Sequence, residues 1–371
     1  MKQKRYLIVT ASIGSGHIKA AEAIRDALRQ QDSSASVHIL DFMAKKVSWL
    51  NWLMKAIYLR MLALVPNLYE FCYRVTGGEQ GGSRTRGFLA WVMARAMRRI
   101  IDKYRPDVLI CTHPFPEGAA SYLCRKPHDF YFATVMTDYS VHQIWLYPHV
   151  DGYFVATEDM RREMLKQGFA EHQVIATGIP ISPMILSRPN QPALTDAALA
   201  EDCPVLLFMG GGLGLGGIDE AIAELDALDI PMQIVVVTGY NRVLAEKLRI
   251  FSETARHKVC IIGYTDQVPA LMARATLLIS KPGALTISEA MALGLPMLLH
   301  EPIPGPETEN AIHAARMGAA IWVHGGFRLS TAAADLLKQP ERLERMRACA
   351  FSASRPHAAQ DIVLYLMQGK S

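Results

Sequence analysis

At 371 residues the chain exceeds the length at which one hydrophobic core usually stops growing, so two domains of roughly 150 to 200 residues are expected. Half of the residues are apolar and a fifth are charged, with no long low-complexity tract, which excludes a disordered or fibrous chain. Net charge is only +4, but in residues 44–105 twelve Lys/Arg less Glu70, Glu79 and Asp102 give +9, leaving −5 elsewhere, so this stretch suits an anionic surface of lipid head groups or nucleic acid.

Strand and helix signals alternate almost throughout, as in parallel α/β architecture. Strands are expected at 6–12, 37–42, 108–112, 130–137, 152–156 and 174–177, with helical patterns between most of them. The insertion 43–106 is too long for one crossover helix and holds Trp49, Trp52 and Trp91 among Leu, Met, Tyr and Lys/Arg. Five prolines between positions 180 and 204 mark an interdomain linker. The alternation restarts with strands at 205–209, 233–238, 259–263, 277–280, 297–300 and 320–323, and the chain closes in helices at 331–338, 341–350 and 357–367. The expected division is 1–185, 186–345 and a helical segment 346–371 that can cross back to the first domain. Ligands are expected at the carboxyl ends of the strands.

Cys72, Cys111, Cys124, Cys203, Cys260 and Cys349 carry no CxxC or Cys/His metal spacing and read as buried free thiols in a reducing compartment. The apolar run 6–11 is too short for a secretory signal, and nothing reaches the eighteen or so apolar residues of a membrane span. The expected location is cytoplasmic, with peripheral attachment to the inner face of the cell membrane.

Three glycine turns sit between strand and helix. Ser12-Ile13-Gly14-Ser15-Gly16-His17 follows the first strand, and its small residues let backbone N–H groups approach a substrate at a positive helix end. His17 at the strand's carboxyl end is a candidate general base; a capping or packing histidine is the alternative. Gly210 to Gly217 is the second turn, in which Gly212, Gly214 and Gly217 satisfy G-x-G-x-x-G. A nicotinamide enzyme would want an acid at the end of the next strand, where the chain reads Thr238-Gly239-Tyr240-Asn241, so backbone contacts from Gly211, Gly212 and Gly214 to a diphosphate are the better reading beside a structural turn. The third turn, Ser280-Lys281-Pro282-Gly283-Ala284-Leu285-Thr286, leads to Glu289, whose carboxylate suits a ribose diol, or a solvated helix face. Asp138 can orient His17 or an acceptor hydroxyl, or serve as a structural carboxylate, and His113 in Thr112-His113-Pro114-Phe115 has a similar position.

These motifs, with Thr137-Asp138-Tyr139, His142, Trp145 and the stretch 281–310, resemble the monogalactosyldiacylglycerol synthase and processive diacylglycerol glucosyltransferase family over nearly the whole of 6–323. More distantly they are similar to the peptidoglycan lipid-intermediate GlcNAc transferase. The resemblance implies a GT-B fold, two Rossmann-like domains facing a central cleft, and inverting, metal-independent transfer of a hexose from UDP-glucose or UDP-galactose to a lipid acceptor such as diacylglycerol. It implies His17 as base, Glu289 on the UDP ribose, Gly283, Ala284, Leu285 and Thr286 beside the diphosphate with Gly263 in the same donor site, Glu307 on the hexose and Asn310 closing that pocket. Pro306 stands where the family often has glutamine, which leaves the donor sugar open, UDP-GlcNAc included. Gly14, Gly16 and His113 fall on the acceptor side, and Trp49, Trp52 and Lys55 suit an interfacial helix on an anionic membrane surface. No cofactor, metal, nucleic acid or protein partner is implied. The rivals are a UDP-sugar epimerase and a non-catalytic UDP-sugar or nucleic-acid binding module.

Overall fold

The computed structural model describes residues 3–46, 48, 49, 51–53, 56, 82–186, 199–210, 218–302, 305–324 and 328–368; Lys55, Cys72, Gly211, Gly212 and Gly214 lie outside the described residues. The chain divides into two compact units, one running to Pro183 and regaining the chain from Arg355, the other comprising Met184–Ile303 and Glu307–Ser354. Of the helical segment expected over 346–371, the part up to Ser354 therefore stays with the second unit and the remainder belongs to the first.

In the first unit the described elements are β1 (Arg5–Thr10), α1 (Gly16–Gln31), β2 (Ser36–Asp41), α2 (Gly82–Tyr104), β3 (Val108–Cys111), α3 (Pro114–Leu123), β4 (Tyr131–Val135), β5 (Gly152–Val155), α4 (Glu158–Lys166) and β6 (Val174–Ala176). The strands form one all-parallel sheet in the order β2-β1-β3-β4-β5-β6. A parallel sheet covered on both faces needs strands that are apolar on both sides, which is why segments such as Val108–Cys111, and Val205–Met209 in the second unit, read as unbroken apolar runs. The second unit contains β7 (Val205–Met209), α5 (Ile218–Asp226), β8 (Gln233–Val237), α6 (Arg242–Ser252), β9 (Lys258–Ile262), α7 (Val268–Arg274), β10 (Leu277–Ser280), α8 (Ala284–Ala292), β11 (Met297–Leu299), α9 (Pro306–Arg316), β12 (Ala320–Trp322), α10 (Leu329–Leu337) and α11 (Pro340–Ala353). Its parallel sheet runs β12-β11-β10-β7-β8-β9, the doubly wound order.

The last helix, α12 (Ala358–Met367), returns to the first unit and buries Ala359, Ile362, Val363 and Leu366 among Ala21, Ile24 and Leu28 of α1, Val108, Ile110 and Phe154. Each of its large aliphatic side chains contributes about 1.5–3 kcal/mol on burial. Cys111 and Cys124 are buried as free thiols, but Cys203, Cys260 and Cys349 are only partly buried, which corrects the expectation of uniformly buried cysteines.

The chain enters the α12 junction against Gly178, whose φ of +99° disfavours a side chain and whose added Cβ would lie 2.4 Å from Arg355 Cβ. Gly168 has nearly the same φ, +95°, but nothing within 4 Å. Urea denaturation is therefore expected to show Gly168→Ala costing about 1–2 kcal/mol from backbone strain alone, and Gly178→Ala at least twice as much. Equal losses would mean that the packing of the returning segment is loose.

Candidate active site

In the first sheet the direction of winding reverses between β1 and β3, and side chains after these strands converge at their carboxyl ends. Val9 pairs with Cys111, and the Thr112 N–H donates to the Val9 carbonyl at 3.2 Å, so the turn carrying His17 lies beside the turn carrying Thr112 and His113. Gly14 adopts φ +83° within the first turn, and Gly16 opens α1, putting His17 at its second position. β4 then brings Thr137 and Asp138 to the same end.

The His17 ring is held by two contacts on one nitrogen: Nδ1 is 3.0 Å from the Thr112 carbonyl oxygen and 2.6 Å from Thr137 Oγ1. A carbonyl oxygen only accepts, so the proton resides on Nδ1, shared between both oxygens, and Nε2 carries the lone pair. The Thr112 hydroxyl donates back to the His17 carbonyl at 3.0 Å, which locks the two turns together. Nε2 has no hydrogen-bond partner among the described residues and is not among the atoms sealed from solvent. Burial pushes the imidazole's pKa down, against the charge of Asp138 and the Thr112 bond, which pull it up. The first turn of a helix also disfavours a cation. The ring is therefore neutral near pH 7, with its basic nitrogen open.

Asp138 thus acts on His17 through its charge, whereas the ring's orientation comes from Thr112 and Thr137. His113 packs edge-on to His17, ring centroids 4.5 Å apart at 69°, and caps α3 by accepting the Phe115 N–H on Nδ1 at 3.1 Å. The ring of Trp145, buried, lies 6.2 Å from that of His17, tilted by 49°. Thr112 and Thr137 escaped sequence reasoning as ring-holding residues because a backbone carbonyl has no residue signature and a short hydroxyl has no spacing pattern.

In the second unit the reversal lies between β7 and β10, and Ser280 pairs with Met209 on one side and Leu299 on the other. Gly283 caps α8 without a side-chain hydrogen bond, and no acidic residue occupies the first turn. The N–H groups of Ala284, Leu285 and Thr286 have no intrahelical acceptor and no other partner among the described residues, an arrangement that accepts an anion. Glu289, partly buried, lies about one and a half turns along the same helix. Glu307 and the buried Asn310 sit one turn apart at the start of α9, and Gly263 follows β9 with its Cβ position 3.8 Å from the Gly239 carbonyl.

Two features here were not anticipated. His300, at the end of β11 with its N–H bonded to the Ser280 carbonyl, is buried with Nε2 unpartnered, and burial together with Lys281 lowers its pKa against the pull of Glu301. Tyr240 and Tyr264 stack at 4.6 Å and 15°, both exposed, beyond β8 and β9. Neither carries a motif. Among the described residues no group of three or more His, Cys, Asp or Glu is arranged to hold a metal ion.

The family model for monogalactosyldiacylglycerol (MGDG) synthase matches residues 17–181, and that for the glycosyltransferase family 28 C-terminal domain matches residues 205–362. A processive diacylglycerol beta-glucosyltransferase of Bacillus cereus is 30% identical over 370 residues, 98% of this chain and 93% of that protein. Among solved structures, Acinetobacter baumannii MurG superposes with a TM-score of 0.61 at 16% identity, covering 99% of this chain and 100% of that one. UDP-GlcNAc 2-epimerase from Neisseria meningitidis bound to UDP-GlcNAc gives 0.65 at 16%, covering 98% and 100%. At such identities the structures establish the shared fold and do not separate a transferase from an epimerase. The full-length sequence relative does: the chain is a glycosyltransferase with the GT-B fold and belongs to the monogalactosyldiacylglycerol synthase and processive diacylglycerol β-glucosyltransferase family.

Proposed function

We propose that the protein transfers a hexose from UDP-glucose or UDP-galactose to the free hydroxyl of a diacylglycerol, with inversion, without a catalytic metal, at an anionic membrane surface. The observation that carries this reading is the His17 imidazole, fixed with Nδ1 protonated and Nε2 open. Nε2 takes the hydroxyl proton as the oxygen attacks the anomeric carbon opposite the departing UDP, and Asp138 stabilises the imidazolium that forms. In-line attack turns an α-linked donor into a β-glycoside. The unpaired amides of Ala284, Leu285 and Thr286 take the diphosphate charge and Glu289 the ribose hydroxyls.

The membrane reading draws on the first unit's exposed aromatics. Trp49 and Trp52 are 67% and 45% exposed, with Lys45 over the Trp52 ring. On α2, Phe88 and Trp91 are exposed in contact with one another, and Arg95, Arg98 and Arg99 continue along the exposed side of that helix. α2 packs against α3, the helix that His113 caps. Aromatics at head-group depth with arginines beside them suit an anionic bilayer.

Incubation with radiolabelled UDP-hexoses and dioleoylglycerol is expected to yield a monoglycosyl lipid; absence of any lipid product from UDP-glucose, UDP-galactose and UDP-GlcNAc alike would reject the assignment. His17→Ala is expected to lower kcat about 10²- to 10⁴-fold with little change in donor KM, and Glu289→Ala to weaken UDP binding. Since His17 must be neutral to act and its pKa is depressed, the acid limb of kcat/KM should lie below the ordinary histidine range and vanish in the variant. Full activity is expected in excess EDTA, and a loss restored by Mg²⁺ or Mn²⁺ would overturn the metal-independent scheme. Vesicles containing phosphatidylglycerol should co-sediment the protein in a salt-sensitive way. Trp49→Glu with Trp52→Glu should abolish that binding while transfer to a short-chain acceptor survives; unchanged binding would remove these residues from the interface.

A further inference from the structure

We propose that His113 is an acceptor-binding residue: its Nε2–H donates a hydrogen bond to the ester carbonyl oxygen next to the hydroxyl that His17 deprotonates. The inference rests on the transferase reading and goes beyond it by assigning how the acceptor's backbone is recognised.

His113 is the N-cap of α3, with extended backbone at φ −150° and ψ 143°, and its Nδ1 accepts the Phe115 N–H at 3.1 Å. A backbone amide only donates, so Nδ1 must carry the lone pair and the neutral ring's proton must sit on Nε2. Burial and the neighbouring His17 hold the ring's pKa well below the ordinary value, so it stays neutral. The side chain is buried, yet Nε2 has no partner among the described residues and is not among the sealed unsatisfied atoms. A buried residue therefore keeps one donor turned to open space, which native structures rarely leave unused.

His17, 4.5 Å away between ring centroids, has the opposite tautomer. One backbone acceptor, the Thr112 carbonyl, and one backbone donor, the Phe115 N–H, set the adjacent rings so that one presents a lone pair and the other an N–H. A hydroxyl flanked by an ester matches this pair: the hydroxyl hydrogen points to His17 Nε2 and the carbonyl oxygen accepts from His113. A lipid with ether-linked chains offers the hydroxyl but no carbonyl.

Two substitutions separate the donor from the cap. Asn places its Oδ1 where imidazole Nδ1 stood and is a good N-cap, but reaches no further; Gln places an amide N–H at the Nε2 position and loses the cap. The test compares dioctanoylglycerol with its dialkyl ether analogue for wild type, His113→Asn and His113→Gln. Wild type is expected to favour the ester about 3- to 10-fold in kcat/KM, the range of one neutral hydrogen bond. His113→Asn should keep the melting temperature and donor KM but lose the preference, and His113→Gln should melt lower yet retain it. A folded His113→Asn enzyme that keeps the preference, or wild type without any, overturns the proposal and leaves the transferase reading intact. If His113→Asn does not fold, His113→Gln decides: retained preference supports the assignment and lost preference rejects it. Wild type that glycosylates neither lipid defeats the transferase reading itself, and the proposal with it.

Discussion

The hydrogen bond from His17 Nδ1 to the Thr112 carbonyl is the contact on which the geometry of the candidate site in the first unit depends. It joins two turns that are 95 residues apart in the chain and adjacent only because β1 and β3 pair in register. It also decides which nitrogen is basic, since the carbonyl cannot donate. Without it, the 2.6 Å contact to Thr137 would leave both tautomers open, because a hydroxyl can give or take a proton. Burial then keeps the ring uncharged and Asp138 tempers that effect, so position, tautomer and charge state come from three different sources.

The second unit meets a different demand with the same architecture. Its sheet also reverses direction beside a strand that ends in a glycine turn, but the group presented there is a helix end whose first amides lack partners and whose first turn holds no competing carboxylate. An acid at position 284, 285 or 286 would satisfy those amides internally and repel a diphosphate. The same topology thus presents an imidazole with an open nitrogen in one unit and a helix end of unpaired amides in the other.

Much of this was legible in the chain itself. Parallel strands buried on both faces are apolar throughout, so the runs leading to β3, β10 and their neighbours announced themselves, and the glycine turns after β1 and β10 located His17 and Gly283. What stayed hidden depends on contacts between distant segments, namely the Thr112 carbonyl and the Thr137 hydroxyl at His17 and the bond of His300 to Ser280, or, for the tautomer of His113, on a local bond to the Phe115 N–H that no residue pattern marks. The pattern around Trp49 and Trp52 also allows packing on the first unit, and the exposure of both rings is a fact that the sequence does not carry. Partial burial of Cys203, Cys260 and Cys349 was missed because apolar neighbours in sequence do not say how thick the covering layer is.

Nitrogen NMR of protein labelled at histidine, with His17→Gln used to assign the signals, reads the position of the His17 ring proton directly. Near neutral pH the His17 resonances should show a protonated Nδ1 and an unprotonated Nε2. A ring protonated on Nε2, or doubly protonated at that pH, would contradict it, because no open lone pair would then face the acceptor hydroxyl.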